Sequence, residues 1–276
     1  MASNIDHAVV AGFGDEWTRF DQSGVSEDEL RRIFQSYFET FPWESLPPNS
    51  VGFDLGCGSG RWARLVAPRV GKLHLIDASV QALGVARQNL SAQKNCEFHH
   101  ASVDDIPLAD GSADFGYSLG VLHHVPDTAA GIQACVAKLK IGAPFLLYLY
   151  YAFDNRPPWF RAVWKVTEIA RSVLSRSPHA LRSAAAQAIA LTVYLPLAKA
   201  ALAAEKLGLD VTHIPLSSYR DKSLYTMRTD ALDRFGTRLE QRFTQEQIRE
   251  MMESAGLSDI RFGAFPYWCA TGIKRR

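Results

Sequence analysis

The sequence predicts an α/β protein with a mainly parallel sheet and helices on both faces. Two observations carry that expectation. Five short segments read as strands: Val51–Leu55, Lys72–Ile76, Cys96–His100, Phe115–Leu119 and Pro144–Tyr150. Helical segments at Gly60–Ala67, Val80–Asn89 and Thr128–Lys140 fall between the first, second and last pairs. The first run also ends in an acid and a tight turn. In Val51–Ala63, VGFDLGCGSGRWA, Asp54 closes the strand, and Gly56, Gly58 and Gly60 alternate with Leu55, Cys57 and Ser59. Glycines suit a sharp turn that leaves room for a ligand against the backbone. Ligands of such sheets lie beyond the carboxyl ends of the strands, where Asp54, Asp77 and Leu119 fall.

Residues 1–50 precede this core as an arm and a helix. Ser26 and Glu29 make a capping box, and Leu30, Ile33, Phe34, Tyr37 and Phe38 share one face. Ser26–Phe41 therefore reads as an amphipathic helix that Pro42 ends. Upstream, Phe13–Phe20 is dense in aromatics and charges but has no clear period. It reads either as an arm packed over the sheet edge or as a lid over the ligand, with Trp17 and Arg19 facing a second substrate.

Downstream spacing sharpens the glycine turn. A dinucleotide turn of the form G-x-G-x-x-G/A needs a small residue at position 61, which is Arg here. That tells against a nicotinamide oxidoreductase. Asp77 ends the second run, KLHLI, about 20 residues past the turn, where a carboxylate accepts hydrogen bonds from both ribose hydroxyls. An isolated Asp there can equally cap the helix that follows.

With the third element the pattern resembles a known family. The D-x-G-x-G-x-G turn resembles motif I of class I S-adenosylmethionine (SAM) methyltransferases. Ala101–Asp114, ASVDDIPLADGSAD, and Phe115–Asp127, FGYSLGVLHHVPD, resemble the third-strand exit and fourth strand of their type 11 subgroup, which includes quinone, sterol and sugar methyltransferases. The resemblance implies a Rossmann-like, seven-stranded, mainly parallel sheet and SAM as cofactor, with S-adenosylhomocysteine as product. It implies that Asp54, Gly56, Cys57, Gly58 and Gly60 carry the methionine end, and that Asp77 and Ala78 carry the ribose. Ser102, Val103 and Asp104 would border the adenine, and Leu119 and Gly120 would lie near the transferred methyl. Many relatives have an acid where Ser102 stands, so the adenine amino contact falls to Asp104 or to a backbone carbonyl. The closing antiparallel pair is expected at Asp259–Phe262 and Tyr267–Gly272, after a helix at Thr244–Ala255 with Thr244 as N-cap and Gln247 at its third position.

The expected domains are 1–50 (lid), 51–150 (SAM-binding core), 151–239 (helical cap holding the acceptor) and 240–276 (last helix and closing strands). Within the cap, Trp159, Val163, Trp164, Ala170, Val173 and Leu174 read as one apolar stripe, with Arg161, Lys165, Glu168 and Arg171 opposite. Residues 155–204 hold seven basic side chains against one acid, a local +6 in a chain whose net charge is +1. Ala184–Ala204 is long and apolar but is interrupted by Gln187, Pro196 and Lys199, which argues against a membrane span. The cap reads as a helical cover on the core, with docking on anionic lipid headgroups as the alternative.

A length of 276 residues suits one α/β domain with an insertion. Cys57, Cys96, Cys135 and Cys269 form no C-x-x-C pair and read as reduced residues of a cytoplasmic protein, peripheral to the inner face of a membrane if the cap docks there. No basic region followed by an apolar one opens the chain, so no secretory signal is expected. The basic stretch lacks stacking aromatics on a sheet, so no nucleic-acid partner is expected.

Methyl transfer to a hydroxyl needs a base, and His123 and His124 stand just past the fourth strand. Adjacent residues of an extended chain face opposite ways, so at most one serves the site. No further ligand stands at metal spacing from this pair or from His99-His100, so no metal is expected. Tyr151, Asp154, Tyr219, Arg220 and Tyr225 at the insertion's ends are the expected acceptor contacts, together with Trp17 and Arg19. The expected activity is O-methylation of a small molecule: a sugar, polyketide-like or lipid-linked hydroxyl. Carbon methylation of a quinone or sterol-like ring and a non-catalytic SAM-binding protein are the alternatives.

Overall fold

The computed structural model describes residues 3–154, 156–264 and 269–275, with His179 by its backbone alone. Its strands are β1 (Val51–Leu55), β2 (Lys72–Asp77), β3 (Cys96–His100), β4 (Phe115–Leu119), β5 (Pro144–Tyr148), β6 (Leu257–Phe262) and β7 (Cys269–Lys274). Its helices are α1 (His7–Arg19), α2 (Glu27–Tyr37), α3 (Ala63–Val66), α4 (Val80–Asn89), α5 (Thr128–Lys138), α6 (Pro158–Leu174), α7 (His179–Ile189), α8 (Leu195–Lys206), α9 (Leu224–Gly236) and α10 (Gln245–Ser254). The chain forms two compact units. One comprises Met1–Gln22, Leu30–Ala152 and Leu239–Arg276; the other comprises Ser23–Glu29 and Phe153–Arg238. Ser23–Glu29, expected with the N-terminal arm, groups with the helical insertion.

The first unit is a seven-stranded sheet in the order β3-β2-β1-β4-β5-β7-β6. Strands β1 to β5 pair in parallel and β7 runs antiparallel to both neighbours, so the sheet is Rossmann-like. Chain order reverses between β1 and β4, and their register sets Asp54 beside Tyr117. That reversal opens a crevice at the carboxyl ends. On one face Phe53, Leu55, Ile76, Leu122, Ile132, Phe145 and Leu147 pack with Ile248 and Met252 of α10. On the other, Leu30 and Phe34 of α2 and Phe38 just after it are buried. Phe38 meets Tyr117 edge-on at 5.4 Å, and Phe41 meets Phe115 at 6.0 Å.

Several boundaries differ from expectation for physical reasons. Phe13–Phe20 is no irregular arm but the end of α1, which Asp6 caps by accepting from the N–H groups of Ala8 and Val9. Val9, Phe13 and Trp17 stand four residues apart on one face of α1, a stripe that the glycines and charges between them masked in the sequence. Helix α3 starts at Ala63 rather than at Gly60, because Gly60 sits at φ +74°, outside right-handed helical space. Strand β5 stops at Tyr148: the Tyr150 N–H turns to His123 and its carbonyl to Phe243. The capping box of Thr244 and Gln247 forms as expected. The expected start of the last strand at Tyr267 lies outside the described residues.

The second unit is helical. Ala180–Lys206 forms one continuous helix, apolar and long enough by composition to cross a membrane. It passes Pro196 through a wide turn at Ala190–Tyr194, which absorbs the missing backbone bond. Ala190, Tyr194 and Ala198 pack on Met227, Ala231 and Phe235 of α9. The expected stripe of α6 is split: Trp164 and Leu174 pack inward, and the rest do not. Trp159, Val163 and Val173 are exposed, while Trp164, Glu168 and Arg171 turn toward α9. The ion pair of Glu168 with Arg171 and Arg234 compensates its own burial, so the polar side of the helix can face inward.

Candidate active site

The site is built on the turn after β1. Gly56, Gly58 and Gly60 take φ values of +74°, +52° and +74°, so the turn needs residues without a Cβ. Packing adds to this: a Cβ on Gly60 would stand 2.8 Å from Leu90 of α4. Two groups hold the turn in place. Asp77 accepts from the Gly58 N–H and from the Ser79 N–H, each at 2.8 Å. Asn89, at the end of α4, donates to the carbonyls of Ser59 and Asp21. The cap of α4 is Ser79, whose hydroxyl accepts from the Ala82 N–H, so Asp77 is a clamp between strand and turn and not a helix cap. Ala78 follows it directly, its carbonyl 3.0 Å from His100.

Asp54 lies at the base of this turn, 1% exposed. Burial, with some repulsion from Asp77, pushes its pKa up to about 8 against the pull of Tyr117 and Arg61. Its Oδ2 makes no well-formed hydrogen bond among the described residues. A buried acid kept neutral, with an acceptor oxygen unmatched, suits a cationic or N–H-bearing ligand. Cys57 is buried beside it, and burial drives its thiol pKa well up, so it packs as an inert neutral group.

The remaining expected residues sort themselves by contact. Leu119 is buried at the end of β4, and Gly120 follows at φ +79° with open space where a Cβ would stand. Ser102 caps a short turn through the Asp104 N–H, and Val103 is buried beneath it. Asp104 is engaged elsewhere: its carboxylate accepts from the Asn4 N–H and the Ser3 hydroxyl. Trp17 lies on Gly58, with the indole 2.9 Å from where a Cβ would stand, and the Arg61 guanidinium sits 5.8 Å above it. Phe13, one turn earlier on the same face of α1, meets the His124 ring at 4.9 Å. One helix face thus touches both the glycine turn and the histidine pair. Arg19 is exposed at the end of α1.

The two histidines are held in opposite tautomers. His123, fully buried, accepts the Tyr150 N–H at Nδ1, which puts the proton of its neutral ring on Nε2. Burial, His124 and Arg242 push its pKa well down, so it stays neutral. His124 places Nδ1 2.7 Å from the Leu239 carbonyl, so Nδ1 donates and Nε2 is the acceptor. Tyr150 stacks on His123 at 3.8 Å, with the Arg242 guanidinium 5.1 Å from the Tyr150 ring. The chain around Leu239 returns to the site here: the Gln241 N–H bonds the His123 carbonyl, and Arg242 bonds the Tyr151 carbonyl. Sequence reading missed Tyr117, Gln241 and Arg242; the last two follow a long insertion and carry no motif.

Of the expected acceptor contacts, Tyr151 is buried in the first unit and bridges Phe243. Asp154, Tyr219, Arg220 and Tyr225 belong to the helical unit. There Arg220 pairs with Glu205 at 2.9 Å, Tyr219 meets Tyr194 edge-on, and Tyr225 covers Gly24. The spacing argument against metal ligands also needs correction. Parallel pairing of β2 and β3 gathers His74, Glu97 and His99, with Nδ1 of His74 2.9 Å from Nε2 of His99. The Glu97 charge is already balanced by Lys72 at 2.5 Å.

Residues 53–147 match the family described as methyltransferase domain. The ubiquinone biosynthesis O-methyltransferase of Aromatoleum aromaticum is 37% identical over 92 residues, which cover 32% of this chain and 39% of that protein. The protein of the same name from Thiobacillus denitrificans is 29% identical over 156 residues, 56% of this chain and 66% of that one. The chain thus spans less than two thirds of these relatives. The crystal structure of human N-acetylserotonin methyltransferase in complex with SAM shares the fold, with a TM-score of 0.55 at 17% identity over 97% of this chain and 58% of that one. A glycine cradle clamped by Asp77 and an orphaned acid at Asp54 fit SAM as the cofactor. Residues 53–147 thus carry a methyltransferase domain, and the chain around them shares the fold of SAM-dependent methyltransferases.

Proposed function

We propose that this protein methylates an oxygen of a small molecule, with His124 as the base. SAM supplies an electrophilic methyl group on a sulfonium when bound. The glycine turn, Asp54 and Asp77 would hold it, while Trp17 and Phe13 on α1 keep water from the turn and from His124. Holding two reactants in line and dry is worth on the order of several kcal/mol. His124 takes the acceptor's proton at Nε2 as the new bond forms, and the Leu239 carbonyl steadies the imidazolium through Nδ1–H. His123 serves as a neutral donor at Nε2–H and as the platform for Tyr150.

The tautomer of His124 carries this reading, because only it leaves a basic nitrogen at the end of β4. The relatives named for O-methylation support oxygen as the target atom. The favoured acceptor is a polyketide-like or lipid-linked hydroxyl, since the surroundings of His124 are aromatic. Calorimetric titration with SAM and S-adenosylhomocysteine, on wild type and Asp77→Ala, tests the first half. Transfer of labelled methyl to a panel of hydroxylated acceptors tests the second. A folded protein that binds neither adenosyl compound would refute the proposal.

A further inference from the structure

Helix α6 is inverted relative to an ordinary surface helix. Two of its ionic residues look inward: Glu168 reaches Arg234 at 3.5 Å, and Arg171 donates to the Thr237 carbonyl, with Trp164 under the Arg234 guanidinium. Five of its large apolar residues look outward. Trp159, Val163, Val166, Ile169 and Val173 stand between 50% and 69% exposed. At 3.6 residues per turn these five cover an arc of about 120° that runs the length of the helix. A helix facing only water would carry the opposite pattern, and an exposed apolar stripe of this kind marks a contact surface.

Charge says what the contact is. Lys165 flanks one edge of the stripe, Arg161 lies about 40° further round the helix, and Arg176 stands just past its C-terminal end; all three are exposed. Glu168 is the one acid between residues 155 and 204, and its ion pairs with Arg171 and Arg234 hold it on the inner side. The outer surface of α6 is therefore purely basic at its edge and apolar at its centre.

We infer that α6 docks this protein on an anionic lipid surface. The helix lies in the headgroup plane, with Trp159, Val166, Ile169 and Val173 in the acyl boundary and Arg161 and Lys165 against lipid phosphates. A second copy of the chain fits less well, because a two-fold contact through α6 would set basic edges together with no outward acid to meet them. A span fits less well too. Ala180–Lys206 is apolar enough by composition, but Ala186, Ala190, Tyr194, Ala198 and Ala201 are buried, so that helix has a packed face in the core of its own unit. Leu181, Leu191, Val193 and Leu197 of the same helix add apolar exposure.

Co-sedimentation of the full chain with vesicles tests this without reference to methyl transfer. Phosphatidylcholine vesicles with about one third phosphatidylglycerol should bind the protein at low salt, at least tenfold more tightly than neutral vesicles or than at about 0.5 M salt. Val166→Glu with Ile169→Glu should weaken binding by about tenfold or more while the circular-dichroism melt is retained, since both side chains are exposed. Arg161→Glu with Lys165→Glu should abolish the preference for anionic lipid. No binding to anionic vesicles, or equal binding by the Val166→Glu/Ile169→Glu protein, would overturn the inference. So would a dimer in analytical ultracentrifugation that the same double variant dissociates, because the stripe would then belong to a second copy.

Discussion

His123 and His124 stand with ring centroids 4.0 Å apart, yet the backbone gives them opposite protonation patterns. The amide of Tyr150 donates to Nδ1 of one, and the carbonyl of Leu239 accepts from Nδ1 of the other, so Nε2 is left as the second ring nitrogen of each.

His124→Asn keeps a donor toward Leu239 and removes the base. Its kcat should fall by roughly 10²–10⁴-fold while SAM affinity holds. His123→Asn should cost less in kcat and more in thermal stability, because that ring is buried under Tyr150. Steady-state kinetics with calorimetry separates the two. Equal kcat losses in both variants would remove the distinction between base and platform.

Asp77 binds two backbone N–H groups as well as facing the cofactor turn. Asp77→Ala strips both acceptors, and hydrogen bonds to a charged group are worth about 1.5–3 kcal/mol each. The melting temperature should therefore drop by several degrees, alongside at least a tenfold loss of SAM affinity. Differential scanning calorimetry without ligand gives the first number. An unchanged melt would mean that Asp77 acts on ligand alone.

Stability should depend on pH through Asp54. Its pKa in the folded protein is raised to about 8, so the unfolded chain ionises first. The contribution of Asp54 is fully present below about pH 4 and is lost as pH rises toward 8. Urea midpoints at pH 5 and pH 8 should fall less in Asp54→Asn than in wild type. A cationic ligand reverses the preference by favouring the carboxylate, so SAM affinity should rise across the same range. S-adenosylhomocysteine lacks the sulfonium and should show a weaker trend.

Gly58 and Trp17 are coupled. Gly58→Ala places a Cβ at φ +52° and 2.9 Å from the indole, and the backbone alone costs about 1–2 kcal/mol. Adding Trp17→Ala should recover part of the lost stability, and a double-mutant cycle by chemical denaturation reads the coupling. Strict additivity would mean that Trp17 does not press on the turn.

Much of this molecule was readable in one dimension. Strands β1, β3 and β4 and helix α4 fell at the expected residues; for β1 and β4 the reason is that buried parallel strands are short continuous apolar segments bounded by turn residues. The D-x-G-x-G-x-G turn was legible because positive φ leaves glycine little competition. Helix α1 was not, since its apolar residues Val9, Phe13 and Trp17 are set among glycines and charges.

What the sequence determined by itself, then, was local: the glycine turn after β1, the acids near the ends of β1 and β2, and the alternation that makes the sheet. What the tertiary structure decided was relational. Which histidine nitrogen accepts and which donates depends on Leu239 and Tyr150, 115 and 27 residues away along the chain. Which side of α6 faces inward depends on Arg234 and Thr237 supplying partners for Glu168 and Arg171. Hydrogen bonds and ion pairs of that kind are set by distance in space, and periodicity along one helix carries no record of them.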